Sequence, residues 1–150
     1  MNYELLTYLE SALRNDEVLQ SLFPNDHVAV RYRTQRPEKK FPYMTHTYSS
    51  RNVENWGLVS SSWRVHIWDY GDNNFRHMKI HDRIKTLFDR NYYVKGVEGI
   101  TGLRIWWSGS SFPDEKEHLV WHAVCQFGIR YIDQAHIEEV ACNRPSDLLS

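Results

Sequence analysis

The sequence predicts a single domain that mixes helices with strands, and three patterns predict it. Leu5, Leu6, Leu9 and Leu13 recur at helical spacing near the N-terminus. Trp63-Arg64-Val65-His66-Ile67-Trp68 alternates like a half-buried strand and runs through Asp69-Tyr70-Gly71-Asp72-Asn73-Asn74 into an amphipathic segment. A last run, residues 119–131, alternates cleanly enough for two faces to be assigned. With 150 residues one domain is the prior, and a chain of this size buries roughly 68–70% of its unfolded surface. A core without staples is within reach.

The elements follow in order. Residues 3–14 read as a helix with Asn2 as a plausible N-cap, because the leucines share one face while Glu4, Glu10 and Arg14 point elsewhere. Asn15-Asp16 breaks it, and a second short helical turn over 17–22 ends at Pro24. Residues 28–33 alternate and read as a strand, followed by a charged connection over 34–40. Phe41-Pro42-Tyr43-Met44-Thr45-His46 opens the next strand, where Pro42 favours an edge or a strand start. From 49 to 62 the chain is polar, carries Gly57 and shows no sustained period, so a loop is expected there.

After Gly71, Ile80, Ile84, Leu87 and Phe88 share a helical face with His77 and His81 beside it. Gly96, Gly99 and Gly102 bend the way to a strand at 101–107, and a loop at 108–117 joins that strand to the last one. In the last strand Leu119, Trp121, Ala123, Cys125, Phe127, Ile129 and Tyr131 form the expected core face. His118, His122, Gln126 and Arg130 lie opposite with Val120 and Val124. A helical turn is expected at 136–140 and a loose end after Pro145.

Composition excludes several classes. The net charge of −1 and a pI near 6.7 set up no global field toward nucleic acid or an anionic membrane. Cys125 and Cys142 have neither metal-ligand spacing nor a disulfide framework, and Cys125 falls in phase with the core. No secretory signal and no run of ~20 apolar residues is visible, so a soluble chain, cytoplasmic when made, is expected. Aromatics at 14%, six of them Trp, are rich for a core alone and common at the buried centres of interfaces.

Catalytic patterns fail on spacing. Gly96, Gly99 and Gly102 lack the spacing and lysine of a phosphate loop, and Ser108-Gly109-Ser110-Ser111 lacks the second glycine of a nucleophile elbow. His77 and His81 are four apart on a helix, where both could face a metal, but no glutamate follows His77. His118 and His122 lie roughly 13 Å apart along a strand, too far for one ion. Asp114, Glu115 and Glu117 beside Lys116 read as a solvated loop tip with no burial to raise a carboxylate pKa. No catalytic, cofactor-binding or metal-binding residue is assigned, and no enzymatic activity is expected.

A candidate interface is assigned instead. Arg31, Arg33, Arg36, Lys39 and Lys40 form the one local basic run, interleaved with Tyr32 and Phe41. It reads as a solvated strand face and loop pairing with another subunit, with phosphate contact as the alternative. Trp56, stranded with Arg51 in the polar 49–62 stretch, either folds back on its own domain or inserts into a partner. His118, His122 and Arg130, from the polar side of the last strand, complete the set.

In this order the features resemble the tail-terminator (tail-completion) proteins of long-tailed bacteriophages, a family that includes minor tail and head–tail joining components. The likeness covers about residues 5–132. It begins with the leucine-rich helix and short second turn. Phe41-Pro42-Tyr43-Met44-Thr45-His46 is similar to the family's hydrophobic-Pro-Tyr strand, and Trp63-Arg64-Val65-His66-Ile67-Trp68 to the strand feeding the main helix at 74–88. Phe127-Gly128-Ile129-Arg130-Tyr131 closes the strand pair. The motifs are packing patterns, and their order and spacing carry the resemblance.

The resemblance implies an α+β domain over residues 1–132, with a mixed or mainly antiparallel sheet and the N-terminal and central helices packed on one face. A C-terminal extension, 133–150, and the tryptophan-bearing loop depart from the family pattern. It further implies a homo-hexameric ring that caps the tail tube, ends its polymerisation and presents a surface for head attachment. The implied partners are further copies of the chain, the major tail-tube protein and a head connector or stopper. DNA would pass through without sequence-specific binding, no membrane would be involved, and the protein would reside in the virion tail or neck after assembly in the host cytoplasm. Competing readings are a connector-stopper of the neck, a nucleic-acid-binding module on the 31–40 segment, and a small metal-dependent enzyme around His77 and His81.

Overall fold

The computed structural model describes residues 3–32, 40–53, 57–72, 74–90 and 97–134, with the side chains of 51–53 excepted. Its first helix, α1 (Tyr3–Arg14), buries Leu5, Leu6, Leu9 and Leu13 and turns its polar residues outward, as the leucine spacing predicts. α2 (Glu17–Ser21) starts where Asp16 caps it, Oδ2 accepting from the Leu19 amide at 2.9 Å. Pro24 stops it and opens a short 3-10 turn, Pro24–Asp26.

Five strands follow: β1 (Val30–Tyr32), β2 (Tyr43–Val53), β3 (Leu58–Tyr70), β4 (Ile100–Ser111) and β5 (Val120–Asp133), with α3 (Arg76–Phe88) between β3 and β4. They form one sheet in the order β1-β2-β3-β5-β4, parallel between β1 and β2 and antiparallel elsewhere. The fold is α+β with a mixed, mainly antiparallel sheet. α1 packs against β1, and α3 against β5, β3 and β4. One continuous core joins α1 and α3 to the inner sheet face, centred on Trp63, Val65, Ile67, Cys125, Phe127 and Ile129. Trp63 sits edge-on to Phe88 at 4.9 Å between ring centroids.

The structure corrects the expected loop at 49–62. β2 continues to Val53 and β3 begins at Leu58, with one register irregularity between Ser50 and Asn52. Serines 60, 61 and 62 hid the alternation. Ser61 occupies a core-phase position between Val59 and Trp63, buried and donating to the Ile129 carbonyl at 3.3 Å. β3 pairs with β5 along its whole length, from Leu58 opposite Ile132 to Tyr70 opposite Val120. Ladder bonding of this length outweighs weak local strand propensity. Similarly, β4 runs on to Ser111, so the loop expected at 108–117 lies at 112–119. Pro42 does stand immediately before a strand, but that strand is internal.

The core face of β5 needs a second correction. Ala123, Cys125, Phe127, Ile129 and Tyr131 are buried as expected, but Trp121 is 45% exposed and Leu119 44%. The core ends near Ala123 because the first turn of α3 lies over this end of the sheet. Trp121 instead stacks on His77, ring planes 10° apart, and its indole N–H donates to the Gly71 carbonyl at 2.8 Å. Asn2, Gly96, Cys142 and the turn expected at 136–140 lie outside the described residues, as does most of the proposed extension.

Candidate interaction surface

The alternation of β3 sends Val59, Trp63, Val65 and Ile67 to the core and Arg64, His66, Trp68 and Tyr70 to the face opposite the helices. On that outer face Trp68 stacks between Tyr43 (5.0 Å, 15°) and His122 (4.4 Å, 18°). Nδ1 of His66 lies 3.0 Å from Nε2 of His122. Nδ1 of His122 stands 2.6 Å from Oε1 of Glu115, off the line of an ideal hydrogen bond, and the Trp68 indole N–H donates to the same oxygen at 3.4 Å. With its Nδ1 proton facing the carboxylate, His122 accepts at Nε2 from His66 Nδ1–H, and one proton per ring satisfies the chain. Burial holds both imidazoles below their ordinary pKa. His122 and Arg64 push His66 down further, while Glu115 pulls the other way on His122.

Glu115 therefore ties the 112–119 loop to the outer sheet face, which corrects the reading of it as a solvated tip. Beneath that loop, against the start of α3, lies a cleft of about 620 Å³ lined by Phe75, His77, Phe112, Glu117, Leu119 and Trp121 among others. Phe75 is 71% exposed and Phe112 and Tyr70 about half exposed, so this end of the sheet is unusually aromatic for a free surface. Asp114 and Glu117 belong to the loop that rims it.

The assigned interface residues do not form one patch. Arg31 is exposed on β1, at one sheet edge, beside a second cleft of about 380 Å³ that Arg14, His27 and Lys40 also line. His118 and His122 both border the aromatic cleft, across the sheet from Arg31. Arg130 lies toward the far end of β5, its guanidinium 6.0 Å over the Trp106 ring. Arg33, Arg36, Trp56 and the side chain of Arg51 lie outside the described residues.

For metal chemistry, His81 has both nitrogens engaged, Nδ1 with Asp82 at 2.9 Å and Nε2 with the Ser110 hydroxyl at 2.6 Å. His77 packs against Trp121 instead of converging with it. Among the described residues, no three His, Cys, Asp or Glu side chains are grouped to hold an ion. Cys125 is buried and its thiol is pushed up to about 12 by burial, so it is no nucleophile near neutral pH.

Sequence reasoning missed the His66–His122–Glu115 chain. The strand phase of His66 and Trp68 was readable, but the register that sets Trp68 opposite His122 was not.

No protein-family model matches this chain, and neither does any curated protein. Solved structures do. The chain shares its fold with a virion protein. A chain in the structure of the virion of a native gene transfer agent particle superposes with a TM-score of 0.65 at 13% identity, over 83% of this chain and 91% of that one. A second solved structure, whose name states no function, matches with a TM-score of 0.64 at 10% identity, over 85% and 93%. At such identities the likeness is one of architecture.

Proposed function

We propose that this protein is a structural component of a phage-type virion, a tail terminator that closes the end of the tail tube as a hexameric ring. The observation that carries the reading is the shared architecture with a chain of a virion particle, spanning most of both proteins. The surface agrees with it: an uncovered sheet face and a large aromatic cleft suit protein contact, and the buried titratable groups are consumed in packing. A ring needs a heterologous interface, in which one patch meets a different patch on the next copy and rotation closes the circle. Such a ring would stop tube growth by covering the terminal subunits' contacts and would offer the head connector a new face. No bond is made or broken in this mechanism.

The test is assembly. Size-exclusion chromatography with light scattering should give a hexamer, or a monomer that forms rings on purified tail tubes. Loss of the gene should give tubes of uncontrolled length by electron microscopy. A chain that is monomeric alone and never joins tubes sinks the reading.

A further inference from the structure

We propose that neighbouring copies join by seating the basic β1 edge of one subunit in the acidic aromatic cleft of the next. This rests on the ring reading above and names the two surfaces that reading requires. Strand order puts them on different sides of the molecule: β1 is one sheet edge, and the 112–119 loop leaves β4, the other edge. Two unlike patches so placed can repeat head to tail, whereas a two-fold dimer would need one patch to match itself.

Charge selects the occupant. The cleft loop carries Asp114, Glu115 and Glu117 against Lys116 alone. The β1-edge cleft is lined by Arg14, His27, Arg31 and Lys40, and no carboxylate lines it. Glu10 engages Arg14 at 3.6 Å, which leaves Arg31 and Lys40, both exposed, as the cations on offer. Opposed fields of this kind orient association and set register.

The cleft has features that a guanidinium or ammonium on an aliphatic stem would match. Its exposed Phe75, Phe112 and Trp121 provide ring faces for the stem and for cation–π contact. His77, which lines the cleft and is more than nine-tenths buried, has no hydrogen-bond partner for Nδ1 among the described residues. A donor N–H from the next subunit would supply one. β1 is also a three-residue strand paired, among the described residues, with β2 alone. That short edge leaves little for β-addition to seize, so side chains must make the contact.

Charge reversal on the full chain tests this by light scattering, alone and on tail tubes. Arg31→Glu with Lys40→Glu should raise the subunit dissociation constant about 100-fold. Asp114→Lys with Glu117→Lys should do the same, and all four changes in one chain should restore assembly. All four positions are exposed, so circular dichroism and melting should match wild type. Rings unaffected by either reversal, or a fourfold variant as dissociated as its parents, would overturn this interface and leave the ring intact. A wild-type chain monomeric under both conditions would remove the ring and the interface together.

Discussion

Arg76 grips Asp69 through two hydrogen bonds of 2.7 Å each, Nε to Oδ2 and Nη2 to Oδ1. Asp69 is fully buried near the end of β3, where its Oδ1 also accepts from the Tyr70 amide at 2.8 Å, and Arg76 opens α3. The pair sets how the chain leaves the sheet and lays its main helix back upon it. A similar fork joins Arg83 of α3 to Asp16, which also caps α2, so both N-terminal helices are referred to the same element. These two forks hold the helical layer over the sheet and shape the cleft at its end.

Arg76→Ala should therefore cost about 2–3 kcal/mol, below the usual cost of orphaning a buried charge because the arginine is one-third exposed. Urea unfolding should show a lower midpoint at an unchanged slope. A variant as stable as wild type would mean that water or another cation reaches Asp69.

Phe127 and Trp121 should behave oppositely although they share a strand. Phe127→Ala should cost about 3–5 kcal/mol by leaving a cavity against Trp63 and Phe88. Trp121→Ala loses a stack and one hydrogen bond at the surface and should cost about 1 kcal/mol. Its visible effect should be on assembly. Equal losses of stability would show that the core extends to Trp121.

Stability should fall as pH drops below about 6.5. Burial is the first cause holding His46, His66, His77 and His122 below their ordinary value of 6.5. Above that value neither the folded nor the unfolded chain protonates these rings. Below it the unfolded chain binds protons first, and the advantage of the folded state is lost as pH passes down through the folded pKa values. Asp16, held below its usual range chiefly by Arg83, adds a separate loss only under strong acid. Urea midpoints measured from pH 7.5 to 5.5 should decline, and His66→Gln should flatten the slope. A level profile would contradict the burial of these rings.

Gly128→Ala should displace Trp106. The indole lies flat over the glycine, and a methyl group there would overlap it. We expect a cost of about 1–3 kcal/mol from overpacking and a red shift in tryptophan emission as the ring moves into water. An unshifted spectrum would show that the indole does not rest on residue 128.

What could be read in advance depended on how far apart the cooperating residues were. The leucine stripe marked α1 to its observed ends, and the isoleucine spacing marked α3 to within two residues of its start. Asp16, Pro24 and the glycines at 99 and 102, both with positive φ, acted locally and as expected. The serine-rich ends of β2 and β3 did not announce themselves, because their partner lies some 70 residues away in β5. Trp121 was misplaced for a related reason: alternation gives the side of a sheet but not where the covering helix stops.

By itself the sequence determined the kinds of element, their order and the inner face of each, since these follow from periods of 3.6 and 2 within a single segment. Only the tertiary structure decided the strand order, the reach of the hairpin and the meeting of Glu115, His122, His66 and Trp68. Those depend on register and on which chain ends come together, and such long-range pairings leave no periodic trace in a single sequence.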